Sequence, residues 1–437
     1  MHIEMEQRAG HRGRFTGTKT AIWRRIAHVA AALTFGLIGH LSLTSSAEAA
    51  IGTVDQVPAT TILIPYFEVD LVNTNGRTTQ VSLSNTSATA TLHNVVLWSD
   101  AGVPVFNFNV YLTGYDTQVF DMRDILNGTL PRTASAGQDP SDTISNHGNV
   151  SQDINFASCS SFLPPAGVSA ATVNDLRAML TGLASTVAYP GQCVGFNNGD
   201  NVARGYLTID TTTQCTTDTP ATPGYFSTSV ASLQNTQVAE YMLIDRSTNQ
   251  MTIDNGVAVE GSTTDASVNV SGQYTFYSRL IGSDASDRRE ALASTWGVQG
   301  DNHSGKVLVW RDVKAAPAAF ACNSTPSYAP LGQEQIVFLT PDSEPTISTT
   351  PGVGRATQVT PMTAAALGAP AAAKQGWTFM NLNTTLGGVT VPTEDPAAAQ
   401  SYITVVRTLE DTSRATTSSM AVQLDSAGDS SHFTLGN

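Results

Sequence analysis

The chain has 437 residues, of which 22 are basic and 36 acidic, giving a formal net charge of −14. Only 13% of the residues are charged and 41% are hydrophobic, an ordinary apolar content for a folded protein. The composition excludes disorder over most of the length and predicts one large or two ordinary domains with a neutral, polar surface.

The N-terminus has the features of an export signal. An apolar run over residues 26–43 is followed by the small-x-small pattern Ala47-Glu48-Ala49, where we expect cleavage. The basic side chains that precede the run are Arg8, Arg12, Arg14, Lys19, Arg24 and Arg25. We therefore predict a signal peptide over residues 1–49 and a periplasmic, cell-surface or extracellular protein, with an uncleaved membrane anchor as the alternative. No later stretch approaches the roughly 18 to 20 apolar residues of a spanning helix, so no integral span is expected after cleavage.

The charge of the remaining chain argues against polyanionic partners. Without residues 1–49 it carries 16 basic and 33 acidic side chains, a net charge of −17, and only three lysines, at positions 306, 314 and 374. Binding to phosphate backbones or anionic lipids needs clustered Lys and Arg. We expect neither nucleic acid nor an anionic membrane surface as a partner.

Four cysteines, Cys159, Cys193, Cys215 and Cys322, all follow the predicted leader. An even number in an exported chain predicts two disulfides. Because Cys159 and Cys193 would close a short Gly/Pro-rich segment, we favour the pairs Cys159–Cys193 and Cys215–Cys322. The alternative, a zinc site, lacks any C-x-x-C pair.

Period-two alternation of apolar and polar residues dominates the chain, most clearly where Phe106, Phe108, Val110 and Leu112 alternate with polar neighbours. β-rich runs of this kind recur at 60–69, 80–84, 93–98, 118–122, 205–210, 240–244, 257–260, 273–278, 306–311, 335–339, 376–382, 402–408 and 420–424. Long helices between strands are missing from the pattern, which disfavours a parallel sheet. The predicted fold class is all-β, an antiparallel β-sandwich of immunoglobulin-like or jelly-roll-like type.

One amphipathic helix is predicted after Ser169 as N-cap, and its apolar face consists of Val173, Leu176, Met179, Leu180 and Leu183. We place this helix in a disulfide-tied insertion. The expected organisation is a first β-sandwich at 50–131, a loop-rich insertion at 132–201, and a second β-sandwich region at 202–437 that includes a Pro/Thr/Ala-rich crossing loop at 340–375.

Several short motifs resemble a group of exported bacterial β-rich proteins of unknown function. They are Pro65-Tyr66-Phe67-Glu68-Val69-Asp70-Leu71, Asn75-Gly76-Arg77-Thr78-Thr79, Tyr111-Leu112-Thr113-Gly114-Tyr115-Asp116, Asp124-Ile125-Leu126-Asn127-Gly128, Gly376-Trp377 and Asn381-Leu382-Asn383. The resemblance implies export and β content, and no mechanism.

Oxygen-rich loops are the most suggestive polar feature. Asp139, Asp142 and Asp153 lie in one loop region, and Asn198 and Asp200 in another. Calcium binds six to eight oxygens of this kind, so these five residues are calcium candidates. The alternative is that Asp and Asn serve turns through hydrogen bonds to the backbone, and no other cofactor is expected.

Other signatures of chemistry are weak. No G-x-S-x-G elbow or phosphate-binding loop occurs, so the catalytic residues, if any, are unknown. His93 lies inside an apolar run, as a packed core histidine does. Of the tryptophans, Trp98, Trp310 and Trp377 fall in apolar strands, and Trp296 is expected to be the exposed one.

Three hypotheses about function follow. The leading one is a non-enzymatic structural or binding protein of the periplasm or cell surface that contacts protein or glycan. The second is a secreted, glycan-active hydrolase with paired carboxylates drawn from Glu68, Asp70, Asp210, Glu240 and Asp245, which lie at strand ends. The third is a calcium-stabilised adhesin.

Overall fold

The computed structural model describes residues 57–131, 159, 162–163, 167–227, 230–264, 274–279, 287–300, 305–313, 317–331, 335–340, 345–348, 353–361, 363, 365–369, 376–382, 400–410, 415–419 and 422–423. All of them belong to one compact unit, Ile51–Asn437. The strands in these ranges are β1 Thr61–Asp70, β2 Arg77–Asn85, β3 Thr91–Ser99, β4 Pro104–Leu112, β5 Thr117–Asp121, β6 Val202–Thr212, β7 Gln237–Asp245, β8 Gln250–Asn255, β9 Val257–Val259, β10 Thr295–Gly300, β11 Gly305–Arg311, β12 Gln335–Leu339, β13 Pro345–Ser348, β14 Thr357–Pro361, β15 Gly376–Asn381, β16 Ser401–Glu410, β17 Ala415–Ser419 and β18 Val422–Gln423. The helices are α1 Met122–Leu126 and α2 Ala170–Leu180.

These strands form four sheets, and every pairing among them is antiparallel. Sheet 1 has the order β5-β2-β7-β8 and sheet 2 the order β4-β3-β6-β1-β9. Sheet 3 has the order β14-β11-β16-β17 and sheet 4 the order β13-β12-β15-β10-β18. The predicted all-β class of packed antiparallel sheets is confirmed.

Sheets 1 and 2 enclose the larger core. Successive side chains of a strand point to opposite faces, so every second residue reaches this core. Sheet 2 contributes side chains such as Ile62, Val95 and Leu207, while sheet 1 contributes Leu83 and Tyr241. Both helices close the end of this core, through Ile125 of α1 and Leu176 of α2 among others.

Sheets 3 and 4 enclose a second core by the same alternation. Val307 and Ile403 enter it from sheet 3, while Trp296, Ile336 and Met380 enter it from sheet 4. The two sandwiches are therefore built in the same way from separate pairs of sheets.

The two sandwiches pack against each other through sheets 2 and 3. Trp98 and Tyr206 of sheet 2 are stacked with ring centroids 5.6 Å apart, and Tyr206 meets Trp310 of sheet 3 edge-on at 6.0 Å. Tyr66 of sheet 2 packs in a neighbouring cluster with Leu308 of sheet 3. The sheets thus stack in the order 1-2-3-4, and the two middle sheets are covered on both faces. In addition, β8 at the edge of sheet 1 contacts β17 at the edge of sheet 3. This burial on both faces explains why β3 is buried at all nine positions instead of at every second one.

The chain order of the sandwiches differs from the predicted boundaries. Strands β6 to β9, between residues 202 and 259, lie in sheets 1 and 2 and complete the first sandwich. The predicted crossing loop at 340–375 contains the short strands β13 and β14. The predicted strand at 273–278 is a turn where it is described, with Ser278 N–H donating to the Thr275 carbonyl at 2.8 Å.

Helix α2 begins as predicted, because the Ser169 hydroxyl accepts a hydrogen bond from Thr172 N–H at 3.1 Å. Four residues of the predicted apolar face are buried, namely Val173, Leu176, Met179 and Leu180. The fifth, Leu183, was predicted wrongly, because the helix ends at Leu180 and Leu183 is 49% exposed beyond it.

All four cysteines form disulfides, but the predicted connectivity is wrong. The bonds are Cys159–Cys215 and Cys193–Cys322. The prediction paired cysteines that are close in the sequence. In the structure, backbone pairing between distant segments determines which cysteines lie together. Cys193 and Phe320 exchange two backbone hydrogen bonds of 2.9 Å, which brings Cys322 beside Cys193.

Candidate functional site

The outer face of sheet 4 is one of the two end faces of the stack, and its sequence alternates accordingly. Met380 and Leu382 point into the second core, whereas Trp377 and Phe379 point outward. Strand register aligns six outward apolar side chains in two rows, Ile347–Val337–Phe379 and Pro345–Leu339–Trp377. In this set, called the sheet 4 face below, Ile347 is 72% and Trp377 45% exposed, whereas Val337, between Ile347 and Phe379, is only 2% exposed.

The exposed tryptophan is not the one predicted. Trp296 is 1% exposed, and its indole N–H donates to the Ser401 hydroxyl at 2.8 Å inside the second core. Trp377 is the exposed one. The sequence did not reveal that Trp377 is exposed, because both alternate sets of side chains on β15 are largely apolar and the pattern does not indicate which set faces the core.

The sheet 4 face carries no charge on its described strands. Register places Thr295, Gly297 and Asn381 on the same face as the six apolar residues. Large exposed apolar groups that lie together on such a face mark a contact surface more often than a scattered Leu or Val does.

The outer face of sheet 1, at the other end of the stack, has a different character. Met251 and Ile253 are about half exposed there, at 49% and 50%. Register places the acidic residues Glu240 and Asp121 on this face as well. The two end faces therefore differ in charge.

A buried ionic network lies on the sheet 2 side of the junction between the sandwiches. Asp210 accepts hydrogen bonds from Thr61 at 2.5 Å, Tyr225 at 2.8 Å and Tyr277 at 3.0 Å. Arg289 lies 3.8 Å from Asp210. Burial raises the pKa of Asp210, and Arg289 partly offsets this effect.

Arg289 also forms an ion pair of 2.9 Å with Asp287, and both side chains are buried. Since every group of this network is engaged with another, the arrangement joins segments of the chain and offers no exposed reactive group.

The other carboxylates proposed for glycan hydrolysis have separate partners or are exposed. Glu68 is buried and bonded to Tyr66 at 3.0 Å and to Arg77 at 2.9 Å. Asp70 and Asp245 accept hydrogen bonds from backbone N–H groups in their own turns, and Glu240 is exposed on β7.

Two of the five calcium candidates lie in the described chain, and both contact arginines. Arg204 binds both carboxylate oxygens of Asp200 and lowers its pKa to about 2. Asn198 accepts a hydrogen bond from Arg355 at 2.9 Å. Asp139, Asp142 and Asp153 lie outside the described residues. Within the described ranges, no group of three or more His, Cys, Asp or Glu side chains is placed to hold a metal ion.

Asp100 lies where the first sandwich, the insertion and the second sandwich meet. Its carboxylate accepts from Phe196 N–H at 2.9 Å and from Arg355 at 3.3 Å, and its carbonyl accepts from Ala356 N–H at 3.1 Å. Burial raises the pKa of Asp100 to about 6 despite the nearby Arg355.

His93 is a buried core residue, as predicted. Gln237 donates its amide hydrogens to two backbone carbonyls, so its oxygen faces His93 Nδ1 at 2.8 Å and Nδ1 carries the proton. Nε2 then accepts from the Thr91 hydroxyl at 2.7 Å. Burial lowers the pKa of His93 to about 4.

Comparison with known proteins found no matching family model, curated protein or solved structure. No helix in the described ranges is long and apolar enough to cross a membrane. The two disulfides are typical of an oxidising compartment.

Proposed function

We propose that the protein is an exported, non-enzymatic binding and structural protein of the periplasm or cell surface, which contacts a protein partner through the sheet 4 face. The observation that carries this proposal is the group of apolar side chains on an uncharged end face, with Ile347 and Trp377 exposed. The membership of this protein in the group of exported β-rich proteins stays a prediction.

The chemistry of the face favours protein over glycan. Protein interfaces combine an aromatic anchor with aliphatic neighbours, as Trp377 does with Ile347 and Leu339. Sugar hydroxyls need polar partners beside an aromatic ring, because an unpaired hydroxyl loses its hydrogen bonds to water. The cross-strand partners of Trp377 are Leu339 on β12 and Gln299 on β10, and the apolar row continues from Leu339 to Pro345.

The positions of the described carboxylates support binding over catalysis. Glu68 and Asp210 are buried and bonded, and Asp70 and Asp245 stabilise turns. A glycosidase needs two carboxylates that face each other across a site open to the substrate.

Photocrosslinking in the producing cell tests this proposal. Benzoylphenylalanine in place of Ile347 or Trp377 should give adducts of higher mass on irradiation. The same group in place of Val72 or Tyr115 is a matched control, because these residues are 74% and 73% exposed and lie outside the face. Equal yields at all four positions, or no adduct at the face, would contradict the proposal.

A further inference from the structure

We infer that Asn198, in the loop before β6, is a site of spontaneous deamidation, at which the side-chain amide is converted to a carboxylate. The reaction takes water as its only co-reactant and needs no enzyme. It concerns a different part of the molecule from the sheet 4 face, so the inference stands or falls independently of the proposed function.

The reaction proceeds through the glycine that follows the asparagine. The backbone nitrogen of Gly199 forms a bond to the side-chain carbon Cγ of Asn198, the amide C–N bond breaks, and the amide nitrogen leaves as ammonia with the hydrogen of the glycine nitrogen. Water then opens the resulting succinimide ring at one of its two carbonyls, which gives aspartate or isoaspartate. Glycine favours the first step because it has no Cβ to hinder its nitrogen.

The same dipeptide occurs at three other places, Asn75-Gly76, Asn127-Gly128 and Asn255-Gly256. In each of these pairs the glycine N–H donates to a backbone carbonyl. The bonds run from Gly76 to Asn73 at 2.9 Å, from Gly128 to Ile125 at 2.9 Å and from Gly256 to Ala239 at 2.8 Å. The nitrogen can attack only after the turn or strand that holds it opens, so the fold protects these three asparagines.

The glycine nitrogen of the fourth pair is more accessible. Asn197, Asn198 and Gly199 are all exposed, and the Gly199 N–H donates to the side-chain oxygen of Asn197 at 2.8 Å. An exposed side chain rotates without any opening of the backbone structure. Beyond its chain neighbours, no atom lies within 4 Å of the point where a Cβ would stand on Gly199, so the space around this residue is open.

An arginine activates the amide that is attacked. Arg355 donates to Asn198 Oδ1 at 2.9 Å, and its charge stabilises the negative charge that develops on this oxygen as the nitrogen adds. Asn127 is a matched comparison, because it is also exposed and its Oδ1 accepts from Arg177. Gly128 also has a positive φ, as Gly199 does. What distinguishes the two pairs is the acceptor of the glycine N–H, a backbone carbonyl in one and an exposed side chain in the other.

Deamidation would strengthen a contact between the insertion and the second sandwich. Arg355 also binds Asp100 at 3.3 Å, and its guanidinium lies 4.4 Å from the ring centroid of Phe196. The aspartate product replaces a neutral acceptor of Arg355 by a charged one, and hydrogen bonds to charged groups are roughly twice as strong. The junction around Asp100 would then gain a second carboxylate on the same arginine.

Peptide mapping by mass spectrometry tests the inference on the purified, folded, full-length protein after incubation in heavy-oxygen water at neutral pH. Incorporated heavy oxygen identifies the amides that are lost during the incubation. Asn198 should deamidate roughly tenfold faster than Asn127, the factor expected when a backbone hydrogen bond must first open. The same chain unfolded in denaturant is the control, and there all four Asn-Gly pairs should react at similar rates.

An Asn198 that keeps its amide, or that reacts no faster than Asn127 in the folded protein, would overturn the inference. So would an equal excess of Asn198 over Asn127 in the folded and the unfolded chain, because flanking sequence and not the fold would then set the rate. None of these outcomes bears on whether the sheet 4 face binds a partner.

Discussion

Protonation of His93 should make the protein less stable in acid by an amount that the structure sets. The pKa of this buried imidazole is about 4, against about 6.5 for a histidine in an unfolded chain. The unfolded state therefore binds a proton as the pH falls below 6.5, while the folded state does not until about pH 4. Stability is fully present above pH 6.5 and is lost as the pH falls to 4. At about 1.36 kcal/mol per pKa unit, the loss is about 3 kcal/mol.

Denaturant unfolding of wild type and His93→Gln at pH 7 and pH 4, with the disulfides intact, isolates this contribution. The glutamine variant should be less stable at pH 7, because it loses the bonds to Thr91 and Gln237. Its stability change between the two pH values should differ from that of the wild type by about 3 kcal/mol, the amount given by the pKa shift. An NMR titration of the His93 ring should give a midpoint near 4. A midpoint near 6.5, or the same pH dependence in both proteins, would refute this reasoning.

Three further predictions concern buried groups. The change of stability with pH that Asp100 contributes has the opposite sign to that of His93, because its pKa of about 6 in the folded state lies above the ordinary value of 3.8. Its contribution to stability is present below pH 3.8 and is lost as the pH rises to 6. Asp100→Asn should therefore remove about 3 kcal/mol of acid stabilisation in the same unfolding assay. Arg289→Met should cost about 3 to 5 kcal/mol at pH 7, measured by denaturant unfolding, because it leaves two buried carboxylates without their partner. Replacing Cys193 and Cys322 by Ser should cost about 5 kcal/mol by the chain-entropy model, and non-reducing peptide mapping of the wild type should recover these two cysteines in one linked fragment.

The sequence predicts strands well where one face of the strand is buried. Residues 106 to 112 alternate clearly, and β4 matches them, with Phe108 and Val110 in the first core. Continuous runs such as 93–98 are also strands, but their sequence does not reveal that sheet 3 covers their second face. The four-layer order depends on contacts between distant parts of the chain, which period-two patterns do not contain.

The candidate site was harder to predict than the fold. In residues 376–382, Trp377 and Phe379 form one alternate set and Met380 and Leu382 form the other. Both sets are apolar, so a shift of one residue would exchange the buried and exposed faces without any signal in the pattern. Only the pairing with β10 and β12 settles that Trp377 is outside.

The buried network around Asp210 and Arg289 could not be predicted from the sequence either. Asp210 and Arg289 are far apart in sequence and meet through the packing of β6 with later segments. No local motif marks this pair. Composition and periodicity therefore predict the class of the fold, while partners that meet across it need coordinates.

Hydroxyl-radical footprinting of Trp377 tests most directly whether the sheet 4 face is a contact surface. Oxidation of this side chain is compared between intact producing cells and dilute purified protein, with the exposed Tyr115 as internal reference. We predict that Trp377 is oxidised several-fold more slowly in the cell than in dilute solution, while Tyr115 reacts equally in both. Equal oxidation of Trp377 in the two conditions would contradict a role for this face in binding.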